Sequence, residues 1–123
     1  MRYSRQEAFL GKDAQALLNK ETVAIVGLGA LGSNAANLLT RAGLNLILID
    51  NDKVELSNLQ RQTIFTEQDL AKNKAEAAKD YLSRVNSDIK IKAYNVKLNK
   101  DNINLINSDL VLDCTDNLET RFL

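Results

Sequence analysis

Six residues near the start of the chain have the types and spacing to hold a phosphate. Gly27-Leu28-Gly29-Ala30-Leu31-Gly32 reads G-x-G-x-x-G. It follows the apolar run Thr22-Val23-Ala24-Ile25-Val26 and precedes residues at helical spacing, the strand–turn–helix setting in which the pattern has meaning. Glycines there allow a tight turn and close backbone approach. The first helical turn adds unpaired N–H groups and the positive end of the helix dipole. Eighteen residues past Gly32, Asp50 ends a second apolar run, Leu46-Ile47-Leu48-Ile49. A carboxylate at that place can accept hydrogen bonds from ribose hydroxyls. The bland alternative is a packing turn with Asp50 as a strand-end cap; the two features in context favour a nucleotide. They do not choose among NAD, FAD, SAM and ATP.

The whole chain narrows the chemistry further. Its 123 residues argue for one domain spanning 1–123, with 45% hydrophobic residues to build a core. Sixteen basic residues balance sixteen acidic ones, which argues against bulk attraction to nucleic acid or an anionic membrane. No apolar run approaches the length of a membrane span, and the N-terminus lacks the apolar stretch of a signal peptide. A cytoplasmic protein is expected. The single cysteine excludes a disulfide framework and a four-cysteine zinc site. With no histidine, no mechanism in this chain rests on an imidazole base or ligand.

The elements that must position these residues follow from periodicity. A short helix is expected within the first twenty residues, lying on the domain. Thr22–Val26 and Leu46–Ile49 read as buried strands. Leu31, Ala35, Leu38 and Ala42 mark the apolar face of the helix between them, and Gly43 its stop. A polar connection from Asn51 to about Phe65 is long for a strand-to-helix loop, which points to function. The next helix is expected to start at Thr66, capped with Asp69 and stapled by Phe65 on Leu70. Its apolar stripe is Ala71, Ala75, Ala78, Leu82 and Val85. Ile89, Ile91 and Ala93 alternate with Lys90, Lys92 and Tyr94, as in an edge strand with one wet face. A short helical segment covers about Asp101 to Ile106, and Leu110-Val111-Leu112 is a fourth strand. The resulting βαβαβαβ order implies a Rossmann-like, doubly wound, mainly parallel α/β sheet. Three continuously apolar strands should be central and the Ile89 strand outermost, giving strand order 3-2-1-4. Ligands then bind at the switch point between strands one and four.

Past Asp50 the sequence becomes more specific. Asp50-Asn51-Asp52, Val54 and Ser57-Asn58-Leu59-Gln60-Arg61-Gln62 match D-x-D-x-V-x-x-S-N-L-x-R-Q. Lys74 follows thirteen residues after Arg61. Asp113-Cys114-Thr115-Asp116-Asn117 with Thr120-Arg121 reads D-C-T-D-N-x-x-T-R, and Tyr3-Ser4-Arg5-Gln6 reads Y-x-R-Q. In order and spacing these resemble the MoeB/ThiF/HesA family, which shares its fold with the adenylation domains of ubiquitin-activating enzymes. The resemblance runs from end to end. It implies ATP-dependent adenylation of the C-terminal glycine of a ubiquitin-like sulfur-carrier protein of the ThiS or MoaD type. It implies a catalytic set of Arg5, Arg61, Lys74 and Asp116. Nucleotide contacts are implied for Gly27, Gly29, Ala30, Gly32, Asp50, Asp52, Ser57, Asn58, Leu59, Gln60, Gln62 and Asn117. It also implies a homodimer, in which Arg5 reaches into the partner's site.

These residue types suit that chemistry. ATP carries about four negative charges, which Arg61 can meet as a directional fork and Lys74 as a point charge. Magnesium favours one or two carboxylates plus phosphate and water, and Asp116 is the candidate ligand. Asn58 and Gln62 can orient phosphate or ribose oxygens without adding charge. Taken singly, Arg5, Arg61 and Lys74 would be solvated charges, Asp52 a turn residue and Asp116-Asn117 an N-cap pair. Cys114, at a strand end, is read as a small hydrophobe. Ala30 replaces a glycine found in many family members, a small change. The chain stops soon after Asp116, where the family continues with more strands and, in many members, a zinc-binding C-x-x-C pair absent here. The expectation is a nucleotide-binding half that adenylates poorly alone. Competing readings are an NAD-binding domain of an oxidoreductase, a relative that adenylates another carboxylate, and a non-catalytic dimerisation module.

Overall fold

The computed structural model describes residues 1–115; Asp116, Asn117, Thr120 and Arg121 lie outside the described residues. The elements run α1 (Ser4–Leu10), α2 (Lys12–Leu18), β1 (Thr22–Val26), α3 (Ala30–Ala42), β2 (Asn45–Ile49), α4 (Lys74–Val85), β3 (Ile91–Tyr94) and β4 (Leu110–Asp113). All strand pairings are parallel and the order is β3-β2-β1-β4. This is the Rossmann-like α/β arrangement, with the carboxyl ends of β1 and β4 side by side. No helix among the described residues is long and apolar enough to cross a membrane.

Alternate residues of the strands feed two apolar clusters. Val23, Ile25, Leu46, Leu48 and Ile91 pack with Ala36, Ala75, Ala78 and Leu82 of α3 and α4. Ala24, Val26, Ile47 and Ile49 pack on the other face with Leu98, Val96 and the 3-10 turn Ile103–Ile106. Each fully buried leucine or isoleucine contributes about 1.5–3 kcal/mol, so the two central strands fix the sheet.

Several expectations about faces and ends are corrected. The N-terminal region forms two short helices, not one. The buried face of α3 is Gly32, Ser33, Ala36 and Thr40, whereas Leu31 and Leu38 are 69% and 68% exposed. The cause is a close approach: a Cβ on Gly32 would overlap the Gly27 carbonyl oxygen. That contact turns the small residues inward and rotates the leucines out. The Thr66–Asp69 capping box exists but closes only the 3-10 turn Glu67–Asp69. Leu70 is extended and Ala71 left-handed at φ 70°, so the backbone leaves the helical region there. Residues 71–73 instead bond with 53–54, and α4 begins at Lys74, capped by Asn73. Phe65 is buried and Leu70 exposed, so no staple forms. Tyr94 is not on a wet face; it packs against the second cluster. β4 ends the described sheet beside β1, as strand order 3-2-1-4 has it, and Leu110 and Val111 are exposed there.

Candidate functional site

At the carboxyl ends of the strands two cavities adjoin, of about 440 Å³ and about 520 Å³, sizes ordinary for ligand sites. Gly27, Asp50, Asp52 and Thr115 line both. The first is walled by Val26, Ile49, Val96 and Leu98, with Asn51 and Lys97 at its edge. The second is walled by the glycine loop and the start of α3, from Gly27 through Leu31, and faces Asn58, Arg61, Gln62 and Lys74. Asp113 and Cys114 complete it at the end of β4.

The glycine loop is held by its own strand neighbours. Gly27 has φ 95°, where a side chain is strained, and its Cβ would stand 3.0 Å from the Cys114 carbonyl oxygen. Asp50 braces the loop: Oδ2 accepts from Leu28 N at 2.7 Å and Oδ1 from Asp52 N at 2.7 Å. Asp50 therefore shapes the site through its carboxylate as well as facing both cavities. Gly29 differs from the other two glycines. Its neighbours in the chain apart, no atom of the described residues lies within 4 Å of its Cβ position, so nothing in the described fold demands a glycine there. Gly29 is the N-cap of α3 and gives no side-chain cap, and no acidic residue stands in the first turn. The α3 N-terminus thus presents its amides to the second cavity, and among the described residues no carboxylate accepts from them.

The cations come from the two segments that follow β2. Asn73 ties them down: its Nδ2 donates to the Asp50 and Asp52 carbonyls at 2.9 and 3.2 Å, and its Oδ1 accepts from Glu76 N. Lys74 N donates to the Asp52 carbonyl at 2.9 Å. Lys74 is 7% exposed and has no carboxylate within ion-pair distance among the described residues. Arg61 is exposed and uses Nη1 on the Ser57 carbonyl at 3.2 Å, and its other donors have no partner among the described residues. Asn58 accepts from Glu55 N through Oδ1, and its amide NH2 makes no hydrogen bond among the described residues. Gln62 is 2% exposed, lines the second cavity, and its buried Oε1 has no hydrogen-bond partner among the described residues.

Ser57, Leu59 and Gln60 lie outside the cavity walls. Ser57 and Gln60 are exposed, and Leu59 packs on the main core. Gly32 also stays off the walls, occupied by its contact with Gly27. Arg5, exposed on α1, is not brought to either cavity. Conversely, Val96, Lys97, Leu98, Asn73 and Thr115 were not singled out from the sequence. The first three follow β3, and the rule that ligands bind at carboxyl ends of strands could have found them. Asn73 and Glu76 form an N-cap pattern of their own.

Cys114 packs against the core as a small hydrophobe. Burial pushes its thiol up from the ordinary range, and the Asp113 carboxylate adds to the effect. The thiolate is the disfavoured form, so alkylation by iodoacetamide at pH 7.5 is expected to be several-fold slower than that of free cysteine. It should accelerate only as pH rises past the usual thiol range.

The family model described as "ThiF family" matches residues 3–123. The chain belongs to the ThiF family. It is 42% identical to the Escherichia coli (strain K12) sulfur carrier protein ThiS adenylyltransferase, covering 98% of this chain and 50% of that protein. Identity is 44% to the molybdopterin-synthase adenylyltransferase of the same organism, covering 98% and 51%. This ThiF-family chain thus spans about half the length of those curated relatives. Among solved structures, the E. coli tRNA N6-threonylcarbamoyladenosine dehydratase TcdA in complex with ATP superposes with a TM-score of 0.91 at 25% identity, covering 98% of this chain and 51% of that one. E. coli MccB with ATP gives 0.87 at 31% identity, covering 96% and 38%.

Proposed function

We propose that this chain carries the ATP-binding half of an enzyme that adenylates the C-terminal glycine carboxylate of a ubiquitin-like sulfur-carrier protein. The observation that carries the reading is the second cavity. The uncapped start of α3, the open face of Gly29, the buried Lys74, which has no ion pair among the described residues, and the exposed fork of Arg61 all border one space. A largely buried ammonium with no ion pair among the described residues is costly to keep, and a polyphosphate brought in with its metal ion is a partner this cavity suits. The first cavity, with Val26, Ile49, Val96 and Leu98 in its wall and Asp50 beside them, suits a base and ribose. The sulfur carrier is favoured as the carboxylate substrate because a relative at 42% identity is named a sulfur carrier protein ThiS adenylyltransferase, and the one at 44% is also named an adenylyltransferase.

In that reaction the carboxylate attacks the α-phosphorus, pyrophosphate leaves and an acyl-adenylate forms. A carboxylate is already ionised at neutral pH, so no base is needed and the lack of histidine is no obstacle. The work of the chain is positioning and charge neutralisation: α3 amides, Arg61 and Lys74 hold the phosphates in line. Asp50, Asp52 and Asp113 also border the second cavity, three carboxylates against two cations. Such a wall suits a triphosphate only with a divalent cation. No cluster of three or more metal-ligating groups stands together among the described residues. A magnesium ion would therefore enter with the phosphates and take one or two carboxylates, from Asp52, Asp113 or Asp116. When bound it supplies charge to the leaving pyrophosphate. Arg5 is assigned to the nucleotide of a second copy in a homodimer, for which the exposed Leu31 and Leu38 of α3 offer an apolar face.

Two outcomes test this reading. Calorimetric titration should show binding of ATP-Mg and none of NADH; tighter binding of NADH would point to an oxidoreductase domain. Gly29→Ala should leave the melting temperature within about 2 °C, because its methyl meets open space. It should weaken ATP-Mg binding, because that space is where a phosphate approaches the backbone. A loss of stability with unchanged affinity would contradict the assignment.

A further inference from the structure

The N-terminal segment is fastened to the domain by polar groups. α1 buries no residue, and α2 buries one, Gln15. The apolar side chains Phe9, Leu10 and Leu17 point away, Phe9 at 89% exposure. Apolar burial therefore does not hold the segment in place. Directional hydrogen bonds do. Gln6 Nε2 donates to Gln15 Oε1 at 2.7 Å and to the Ala42 carbonyl at 3.1 Å. Gln15 Nε2 donates to the same carbonyl at 3.1 Å and to Asn19 Oδ1 at 2.9 Å. Asn86 Nδ2 bridges Tyr3 Oη and the Thr40 carbonyl, both at 2.9 Å. Thr40 and Ala42 end α3, where carbonyls run out of helical partners. The clamp closes over the left-handed Gly43, whose Cβ would stand 2.6 Å from Asn19 Oδ1 and 2.8 Å from the Tyr3 ring.

Such a fastening fixes orientation, since hydrogen bonds tolerate little sliding and apolar contacts tolerate more. The residue it orients is Arg5, between Tyr3 and Gln6. Arg5 is exposed and pairs with no described residue. It stands at the C-terminal end of α3, whereas the phosphate cavity lies at the N-terminal end. Thirteen helical residues separate the two ends, on the order of 20 Å, farther than an arginine side chain spans. Arg5 cannot serve its own cavity. A projecting cation flanked by outward Phe9, Leu10 and Leu17 suits a second copy whose anionic nucleotide lies beside the exposed Leu31.

We propose that Tyr3, Gln6, Gln15 and Asn86 are positioning residues, an amide clamp that locks α1 onto the end of α3 so that Arg5 is delivered to the phosphate cavity of a second copy. This rests on the reading that Arg5 acts on the partner chain's nucleotide.

Mixed chains provide the test. One carries Lys74→Ala, which spoils its own cavity, and keeps Arg5. The other carries Arg5→Ala and keeps its cavity. Each alone should bind ATP-Mg at least tenfold more weakly than wild type, and the mixture should recover near-wild-type affinity in about a quarter of its sites, as random pairing of the two chains requires. Adding Gln15→Leu to the Lys74→Ala chain should abolish the recovery. Adding it to the Arg5→Ala chain should leave the recovery intact, which a merely structural role would not allow. Should Gln15→Leu fail to fold, Gln6→Met, at a less buried position, serves the same comparison. Recovery that survives the change on the Arg5-donating chain, or that is lost equally from either side, overturns the clamp. Failure of the first mixture to recover, or a chain that remains monomeric with ATP-Mg, overturns the underlying assignment of Arg5.

Discussion

Lys74→Ala is expected to weaken ATP-Mg binding by about ten- to one-hundred-fold while leaving the melting temperature unchanged or slightly raised. The affinity loss follows from removing a charge-assisted hydrogen bond to phosphate, about 1.5–3 kcal/mol. The stability side has three causes. Lys74 is buried at 7% exposure, and no ion pair among the described residues offsets its burial. It is the first residue of α4, where the helix dipole disfavours a positive charge. Alanine is also the better helix former. A lysine kept for structure gives the opposite pair of results, lower stability with unchanged nucleotide affinity. Calorimetry and thermal melting on the same preparation separate the two.

Gly32→Ala carries the second large effect, this time on the fold. Its methyl would overlap the Gly27 carbonyl oxygen and lie 3.3 Å from the Cys114 side chain. Backbone on one side and a sheet-end residue on the other leave little room to relax. The variant is expected to lose about 2–3 kcal/mol, the upper part of the range for overpacking. For a chain of this length that lowers the melting temperature by roughly 10 °C or more. Because α3 must lift away from β1, ATP-Mg binding should fall too, through displacement of the helix N-terminus. Unchanged melting would show that α3 does not pack where the structure has it. The contrast with Gly29→Ala matters, since the two positions share one motif and serve different needs.

Much of this was legible in the sequence because the relevant signals are local or periodic. The apolar runs gave β1 and β2, the glycine pattern gave the turn, and the alternation at Ile91 marked β3 as an edge. Chain order then left strand order 3-2-1-4 as the natural arrangement. The misreadings arose where tertiary contact decides. The apolar stripe Leu31–Ala35–Leu38–Ala42 had the right period, but the approach of Gly32 to Gly27 rotated the helix and left two leucines outside. The Thr66–Asp69 capping box was real, yet that signature is the same for one 3-10 turn as for a helix. The left-handed Ala71 ended it, and Asn73 with Glu76 began α4.

The candidate site was legible to a similar depth. Arg61, Lys74, Asn58 and the glycine loop border one cavity, although they come from segments up to 47 residues apart in sequence. Ser57, Leu59 and Gln60 share the motif without sharing the wall, because a 3-10 turn points consecutive side chains in different directions. The apolar wall of Val96 and Leu98 was invisible to motif reading, since it depends on which strand ends lie next to Asp50.

The central claim is that this cavity grips the phosphates of one nucleotide, and the ratio of ATP-Mg to AMP affinity tests it most directly. In this account the amides of α3, Arg61 and Lys74 would act on phosphates that AMP largely lacks. Calorimetry on the chain should therefore show ATP-Mg bound at least tenfold more tightly than AMP. Equal affinities for the two, or no measurable binding of either, would contradict the account.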